Sequence, residues 1–253
     1  MPDGGPAASD LVRNLEERAF NAWPALETRL VRGWLLRFSA GYTKRANSVN
    51  AWRPEVPLAD IIAHASDVYG SRNLPLIVRL SPLADAGADA MLEARGWCRI
   101  DETIVMTAPL ENLPVACDPA ARIASVPTPD WLDGFARANA VPDARRTIHD
   151  AMITRIAAPV AFAQLESSGT PVSWGIAAVE RGFAGLFDIV TSPSARRQGA
   201  GRRLVSHMLH WARTEGAHLA YLQVIAANSP AVALYQHLGF AEAYRYHYRI
   251  ARA

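Results

Sequence analysis

The sequence predicts an α/β fold laid down as two similar layers in tandem. Three observations carry that expectation. Strand-type apolar runs alternate with helix-spaced ones along most of the 253 residues. A glycine-rich turn, Arg196-Arg197-Gln198-Gly199-Ala200-Gly201, joins the apolar run Leu186–Val190 to a helix-spaced stretch. A constant offset of 143 also lays Gly96-Trp97 on Gly239-Phe240, Ile61-Ile62 on Leu204-Val205 and Val78 on Tyr221. The identities are few, so the order of elements carries the comparison, with coincidence between two α/β layers as its competitor.

In chain order, Leu11–Trp23 reads as a helix, with Leu11, Leu15, Ala19 and Phe20 on one side and Arg13, Glu16, Glu17 and Arg18 between; Pro24 closes it. Leu30–Ser39 reads as a strand pair turning at Arg32-Gly33, and Tyr42–Val49 as a more polar strand. Pro54-Glu55-Val56-Pro57 precedes a helix at Leu58–Tyr69. Pro75–Leu80 is a strand of buried type, Ala86–Arg95 a helix stopped by Gly96, and Trp97–Met106 the next strand. Leu110–Ala121, with Pro114 and Pro119 and no periodicity, is the natural linker. It divides the chain into a domain at 1–115 and another at 116–253.

The second domain opens with a strand at Arg122–Val126 and two helices, Pro129–Ala140 and Asp143–Ala157. Strands follow at Val160–Glu166, Val172–Glu180 and Phe183–Thr191, with turns at Ser167-Ser168-Gly169 and Arg181-Gly182. Helix Gly201–Glu215 ends at Gly216. Strand His218–Ile225, helix Pro230–Leu238 with Ser229 as its cap, and strand Phe240–Ile250 complete the order.

Composition narrows the function. Half of the residues are hydrophobic and 20% charged, the balance of a globular protein with ample core. A net charge of +2 implies no general affinity for nucleic acid or anionic membrane, and no aromatics interleave the arginine cluster at 196–203. Two cysteines, Cys98 and Cys117, are too few for a disulfide framework, and the seven histidines have no metal-ligand spacing, so no metal is expected. The opening MPDGGPAASD lacks the pattern of a signal peptide, and no apolar run is long enough to cross a bilayer. A cytoplasmic protein with loose first residues is expected.

The turn at 196–201 has the chemistry of a phosphate cradle. Glycines let successive amides face one concavity, the helix start adds its positive dipole end, and arginines stand at the rim. An ordinary basic βα turn is the plainer reading. A Walker loop is excluded because Gly201 is followed by Arg202-Arg203, and the dinucleotide fingerprint lacks its third glycine.

Arg196, Gly199 and Gly201, with Pro193 at the end of the strand, resemble motif A of the GNAT acetyltransferase superfamily. Downstream, Leu222-Gln223-Val224, Asn228, Ala231, Leu234-Tyr235 and Leu238-Gly239-Phe240 resemble that family's second signature. The resemblance covers roughly residues 120–253. It implies tandem GNAT-like layers with a mixed central sheet flanked by helices, the N-terminal copy being degenerate. There Pro54, Glu55, Val56 and Pro57 stand where Arg197–Ala200 stand, and Leu92 stands where Tyr235 stands. Two amide donors are thus missing and Glu55 would repel phosphate.

The resemblance also implies acetyl transfer from acetyl-CoA to a primary amine of a small molecule, or of a protein, by direct attack in a ternary complex. A non-catalytic acetyl-CoA-binding regulatory module is the alternative. Gln198, Gly199, Ala200, Gly201 and Arg202 would hold the pyrophosphate through their amides, helped by the side chains of Arg196, Arg197 or Arg202. Ile189, Val190 and Thr191 would run alongside the pantetheine, with the Val190 amide donating to the thioester carbonyl. Asn228 would bond the pantetheine arm or simply cap the next helix. Tyr235 corresponds to the family's general acid, with a core tyrosine as the other reading. For the base, Asp188 is an acid in an apolar strand, with Glu166, Glu180 and a water chain as competitors. A buried, ion-paired Asp188 without proton transfer is equally open. Trp131, Trp174 and Asp188 belong either to a pocket for a small cationic amine or to the core.

Overall fold

The computed structural model describes residues 6–113 and 115–251. The loose start expected at residues 1–5, and Pro114 of the expected linker, lie outside the described residues. The chain forms two compact units, one of residues 1–105, 225–227 and 243–253, the other of 106–224 and 228–242.

In the first unit, helix α1 (Pro6–Ala22) is followed by the hairpin β1 (Glu27–Val31) and β2 (Trp34–Phe38), then β3 (Val49–Ala51), α2 (Leu58–Gly70), β4 (Ile77–Leu80), α3 (Ala88–Ala94) and the start of β5 (Cys98–Pro109). The hairpin turns at Arg32-Gly33 as the sequence predicts, with φ of 47° and 82°. Positive φ at both positions gives the turn whose twist matches that of paired strands. Only glycine fits the second, because a Cβ there would stand 1.8 Å from the Arg53 carbonyl oxygen. β3 pairs in parallel with β4, and β2 antiparallel with β3. The core gathers Trp34, Leu36 and Phe38 of β2 with Leu58, Ile61, Ile62 and Tyr69 of α2. Each such side chain contributes about 1.5–3 kcal/mol by leaving water.

Two expectations fail in this unit. Of the strand expected at Tyr42–Val49 only Val49 is extended, as the start of β3; the rest is a compact turn with a 3-10 segment at Lys44–Ala46. Asn47 closes it: Oδ1 accepts the amides of Ser39 at 2.7 Å and Gly41 at 2.9 Å, and Nδ2 donates to the Thr43 carbonyl at 2.7 Å. Local side-chain bonds of this kind compete with an extended backbone. Helix α1 starts earlier than Leu11, and its charged positions are not all solvated. Glu16 is fully buried, receiving both Nη groups of the buried Arg79 and the phenol of Tyr244, while Leu11 is exposed.

In the second unit the end of β5 leads to β6 (Ala121–Ala124), α4 (Pro129–Ala138), α5 (Asp143–Ile153), β7 (Val160–Ser167), β8 (Thr170–Glu180), β9 (Phe183–Thr191), α6 (Ala200–Thr214), β10 (Leu219–Ile225), α7 (Ser229–His237) and the first residues of β11 (Ala241–Ile250). The strand order is β10-β9-β8-β7-β6. β9 and β10 are parallel, as a strand–helix–strand crossover requires, and the others antiparallel, so the sheet is mixed and flanked by helices.

Small residues let helices approach this sheet. The apolar face of α6 (Leu204, Val205, Met208, Leu209, Ala212) is buried, and a Cβ on Gly175 of β8 would stand 2.9 Å from the Met208 sulfur. Gly134 of α4 lies against Trp174, whose ring would be 2.6 Å from a Cβ.

Candidate functional site

The site begins where β9 leaves β10. Its parallel register with β10 runs from Phe183 opposite Leu219 to Leu186 opposite Leu222 and stops there. Toward β8, Ile176 faces Phe187 and Trp174 faces Val190. Asp188 and Ile189 therefore share Gly175 as their opposite residue, which is a β-bulge. Asp188 sits at φ 49°, a region that aspartate enters more readily than most residues. Beyond the bulge, Ile189, Val190 and Thr191 have lost β10 as a ladder partner, so one edge of their backbone is open to a ligand.

Asp188 is not alone. Its Oδ2 lies 2.9 Å from His149 Nε2, and His149 Nδ1 lies 3.0 Å from Asp150 Oδ1. His149 comes from α5, is buried, and stacks on Phe135 of α4 with centroids 4.7 Å apart and planes 10° apart. Burial depresses its basicity, but bonding to Asp188 and Asp150 outweighs that, and the net shift is upward. Sequence reasoning missed His149, since its partner is 39 positions away and an isolated histidine has no local signature.

The turn after Thr191 has the form expected of an anion cradle. Arg197 and Gly199 take positive φ, 59° and 81°. Gly199 is the N-cap of α6, which starts at Ala200, one residue earlier than predicted. The first intrahelical bond runs from the Arg203 amide to the Gly199 carbonyl at 3.0 Å, so the amides of Ala200, Gly201 and Arg202 have no intrahelical acceptor, and a glycine cap offers them no side chain. The arginines divide their tasks. Arg203 is held by Asp118 at 2.7 and 2.9 Å, and Arg196 Nε donates to the Thr191 carbonyl at 3.2 Å, bracing the turn. Arg197 and Arg202 are exposed, with no carboxylate partner among the described residues. Gln198 is also exposed, and its side chain donates to the Ser194 carbonyl at 2.8 Å.

Helix α7 comes alongside. A Cβ on Gly201 would lie 3.4 Å from Thr191 Oγ1 and 3.8 Å from Leu234 Cδ2, which brings the end of β9, the start of α6 and α7 together. Tyr235, the residue after Leu234, is buried and meets Phe240 edge-on at 6.1 Å. Burial pushes its phenol up to about 12. The cap of α7 corrects the expectation by one position: Asn228, not Ser229, is the N-cap, its Oδ1 accepting the Ala231 amide at 3.4 Å.

The remaining candidates separate. Trp131 belongs to the core, its indole donating to the Ala163 carbonyl at 2.9 Å. Trp174 instead lines a cleft of about 660 Å³ with Asp130, Asp133, Glu166, Ser192 and Pro193. Its Nε1 is buried without a hydrogen-bond partner. Glu166 is paired with Arg122 at 3.5 Å. Glu180 faces Phe183 beside the hairpin turn, at the end of β9 away from Thr191. Among the described residues no cluster of histidine, cysteine and carboxylate could hold a metal, and no helix is long and apolar enough to cross a membrane.

Comparison with known proteins bears on this geometry. A family model described as "Probable histone acetyltransferase Rv0428c C-terminal" matches residues 9–249. An uncharacterized N-acetyltransferase, YobR of Bacillus subtilis strain 168, is 30% identical over 248 residues, spanning 96% of this chain and all of that one. Among solved structures, a GCN5-related N-acetyltransferase from Kribbella flavida superposes with a TM-score of 0.71 at 17% identity, covering 99% of this chain and 97% of that one. A tandem GNAT protein from the clavulanic acid biosynthesis pathway gives 0.61 at 16% identity, covering 81% and 74%. At such identities the two structures speak to fold, and the fold they share is this one.

Proposed function

The chain belongs to the acetyltransferase family whose model matches it over 9–249 and is a GNAT-type N-acetyltransferase, and from that premise we propose that it transfers the acetyl group of acetyl-CoA to a primary amine of a small molecule, by direct attack in a ternary complex. The observation that carries the reading is the continuity of the open backbone edge of Ile189–Thr191 with the uncapped amides of Ala200, Gly201 and Arg202. A ligand with a peptide-like arm and a diphosphate fits that pairing: the strand edge takes the arm, and the helix start with Arg197 and Arg202 takes the charge. Asn228, at the cap of α7, is assigned to the arm as well.

When bound, acetyl-CoA supplies an activated thioester carbonyl. The protein's part is to polarise, orient and move protons. A main-chain amide on the open edge, that of Ile189 or Thr191, steadies the oxygen on which charge develops, because the Val190 group expected in this role faces β8, where its carbonyl accepts the Ser173 hydroxyl at 2.9 Å. Tyr235 keeps its proton at neutral pH and delivers it to the leaving sulfur. The Asp188 carboxylate receives the amine. The cleft beside Trp174 has Asp130, Asp133 and Glu166 on its wall, but Asp133 and Glu166 are paired with Arg146 and Arg122 and Arg137 also lines it, so Asp130 is the carboxylate left to receive an acceptor carrying positive charge.

Gly199→Pro tests the cradle. Proline removes the amide and forces φ to about −65°, whereas Gly199 needs 81°. Acetyl-CoA affinity should fall by about 2–4 kcal/mol in calorimetric titration; unchanged affinity would sink the assignment.

The first unit should bind no second cofactor. Its helix α2 starts after Pro57, and the Leu58 amide is already taken by Asp85 Oδ1 at 3.1 Å, a carboxylate where a phosphate would have to sit. The Glu55 amide is spent on the Arg32 carbonyl at 3.0 Å. Titration should therefore find one acetyl-CoA per chain; a stoichiometry of two would refute this reading of the N-terminal half.

A further inference from the structure

We propose that His149, held as an imidazolium between Asp150 and Asp188, is a positioning residue for the acceptor amine. It fixes the Asp188 carboxylate at the bulge by one oxygen and leaves the other for the substrate. The inference rests on the acetyl-transfer reading above and extends it to a residue that the sequence motifs do not contain.

Ionised carboxylates only accept hydrogen bonds, and a neutral imidazole has a single N–H. Both ring nitrogens of His149 lie within 3.0 Å of a carboxylate oxygen, Nδ1 against Asp150 and Nε2 against Asp188. Two donations require the doubly protonated ring. That ring is 2% exposed, a position where an unpaired charge would be untenable, and two carboxylates answer it.

Charged groups reach the ring from two elements. α5 offers Asp150 and, one turn earlier, Arg146, which is itself held by Asp133 of α4. β9 offers Asp188, and α4 presents the uncharged face of Phe135. The stack on Phe135 and the contact with Asp150 hold the ring so that Nε2–H meets Asp188 Oδ2.

Asp188 needs such help. It stands at φ 49° in a bulge that has lost β10, with its side chain 13% exposed. The described structure gives Oδ2 one partner and Oδ1 none. The free oxygen is therefore the one that meets an incoming amine, and the clamp decides where it points. The clamp also sets a pH window. Because the His149 value is raised in the fold, its stabilising contribution is complete below the unfolded histidine value. It is lost as pH rises through the folded one.

Two measurements decide the matter. In 15N NMR of the unliganded protein, His149 should show two protonated nitrogens at neutral pH and titrate above an ordinary histidine. Asp150→Asn should bring that titration down. A neutral single tautomer at pH 6 would overturn the proposal.

In steady-state kinetics, His149→Phe keeps the stack on Phe135 but removes both donors. Its kcat/KM for the amine should fall on the order of 10²-fold, the scale of a misplaced reacting group, with the acetyl-CoA Kd within about twofold. His149→Gln, whose amide can still donate to Asp188, should recover part of the loss. Wild-type turnover with an unaltered amine kcat/KM in a folded His149→Phe protein would overturn the positioning role alone. A wild-type protein that acetylates no amine would instead fail the acetyl-transfer reading, and the NMR result would still report on the clamp.

Discussion

Tyr235→Phe is expected to lower turnover by a factor on the order of 10²–10⁴ while leaving acetyl-CoA affinity nearly unchanged. The phenol is 8% exposed, and its proton is held to about pH 12 by burial, so at neutral pH it is always an available acid. Phenylalanine keeps the ring, its edge-on contact with Phe240 and most of the buried apolar area. Stability should hold accordingly, and the loss should appear in kcat at saturating acetyl-CoA. A tyrosine that merely packs predicts the opposite, wild-type turnover with an unchanged pH profile. That outcome would transfer proton donation to water.

Glu16→Ala should produce the largest loss of stability, about 3–5 kcal/mol, because it leaves a buried cation without its anion. Arg79 is 3% exposed, donates both Nη groups to Glu16, and stacks its guanidinium 3.6 Å from the Tyr246 ring centroid. Burial alone would push the arginine toward neutrality, but Glu16 and the neighbouring tyrosines more than reverse that, and its value ends above normal. Truncating Glu16 also strands the Tyr244 phenol, which now donates to it. The exposed pair Arg32–Glu55 is the control: Glu55→Gln should change stability by no more than about 0.5 kcal/mol. Denaturant unfolding followed by a probe in the first unit checks both. Equal midpoints for the two variants would refute the buried-pair argument.

These two residues also mark the limits of what could be read from the sequence. The place of Tyr235 on a short helix was legible because Leu234-Tyr235 stands in a local run before Leu238-Gly239-Phe240. The turns at Arg32-Gly33 and Arg181-Gly182 were legible for the same reason: positive φ is a local demand met by local residues. Gly199 likewise shows its purpose in one step, since a left-handed cap must be glycine or nearly so.

Glu16 was illegible because its partner is 63 positions away, and a glutamate between arginines reads as a solvated helix face. Asp188 was legible as a buried, ion-paired acid, but its partner His149, 39 positions away, was not. Asn47 shows a third kind of failure. The stretch Tyr42–Val49 has nothing against extension except one side chain, which captures two amides and a carbonyl and folds the backbone around itself. Trp131 and Trp174 are indistinguishable in sequence. Only the structure separates an indole bonded to Ala163 from one whose N–H has no partner beside a cleft.

The central claim is that the strand edge at Ile189–Thr191, the amides at the start of α6 and Tyr235 form one acetyl-transfer site. Its most direct test is the release of free CoA from acetyl-CoA by purified protein across a panel of amines, with the acetylated product identified by mass. The account predicts amine-dependent CoA release matched one for one by N-acetylated product, strongest for small cationic amines and lost in Tyr235→Phe. Tight binding of acetyl-CoA with no amine raising CoA release above hydrolysis would contradict it and leave a protein that holds the cofactor without using it.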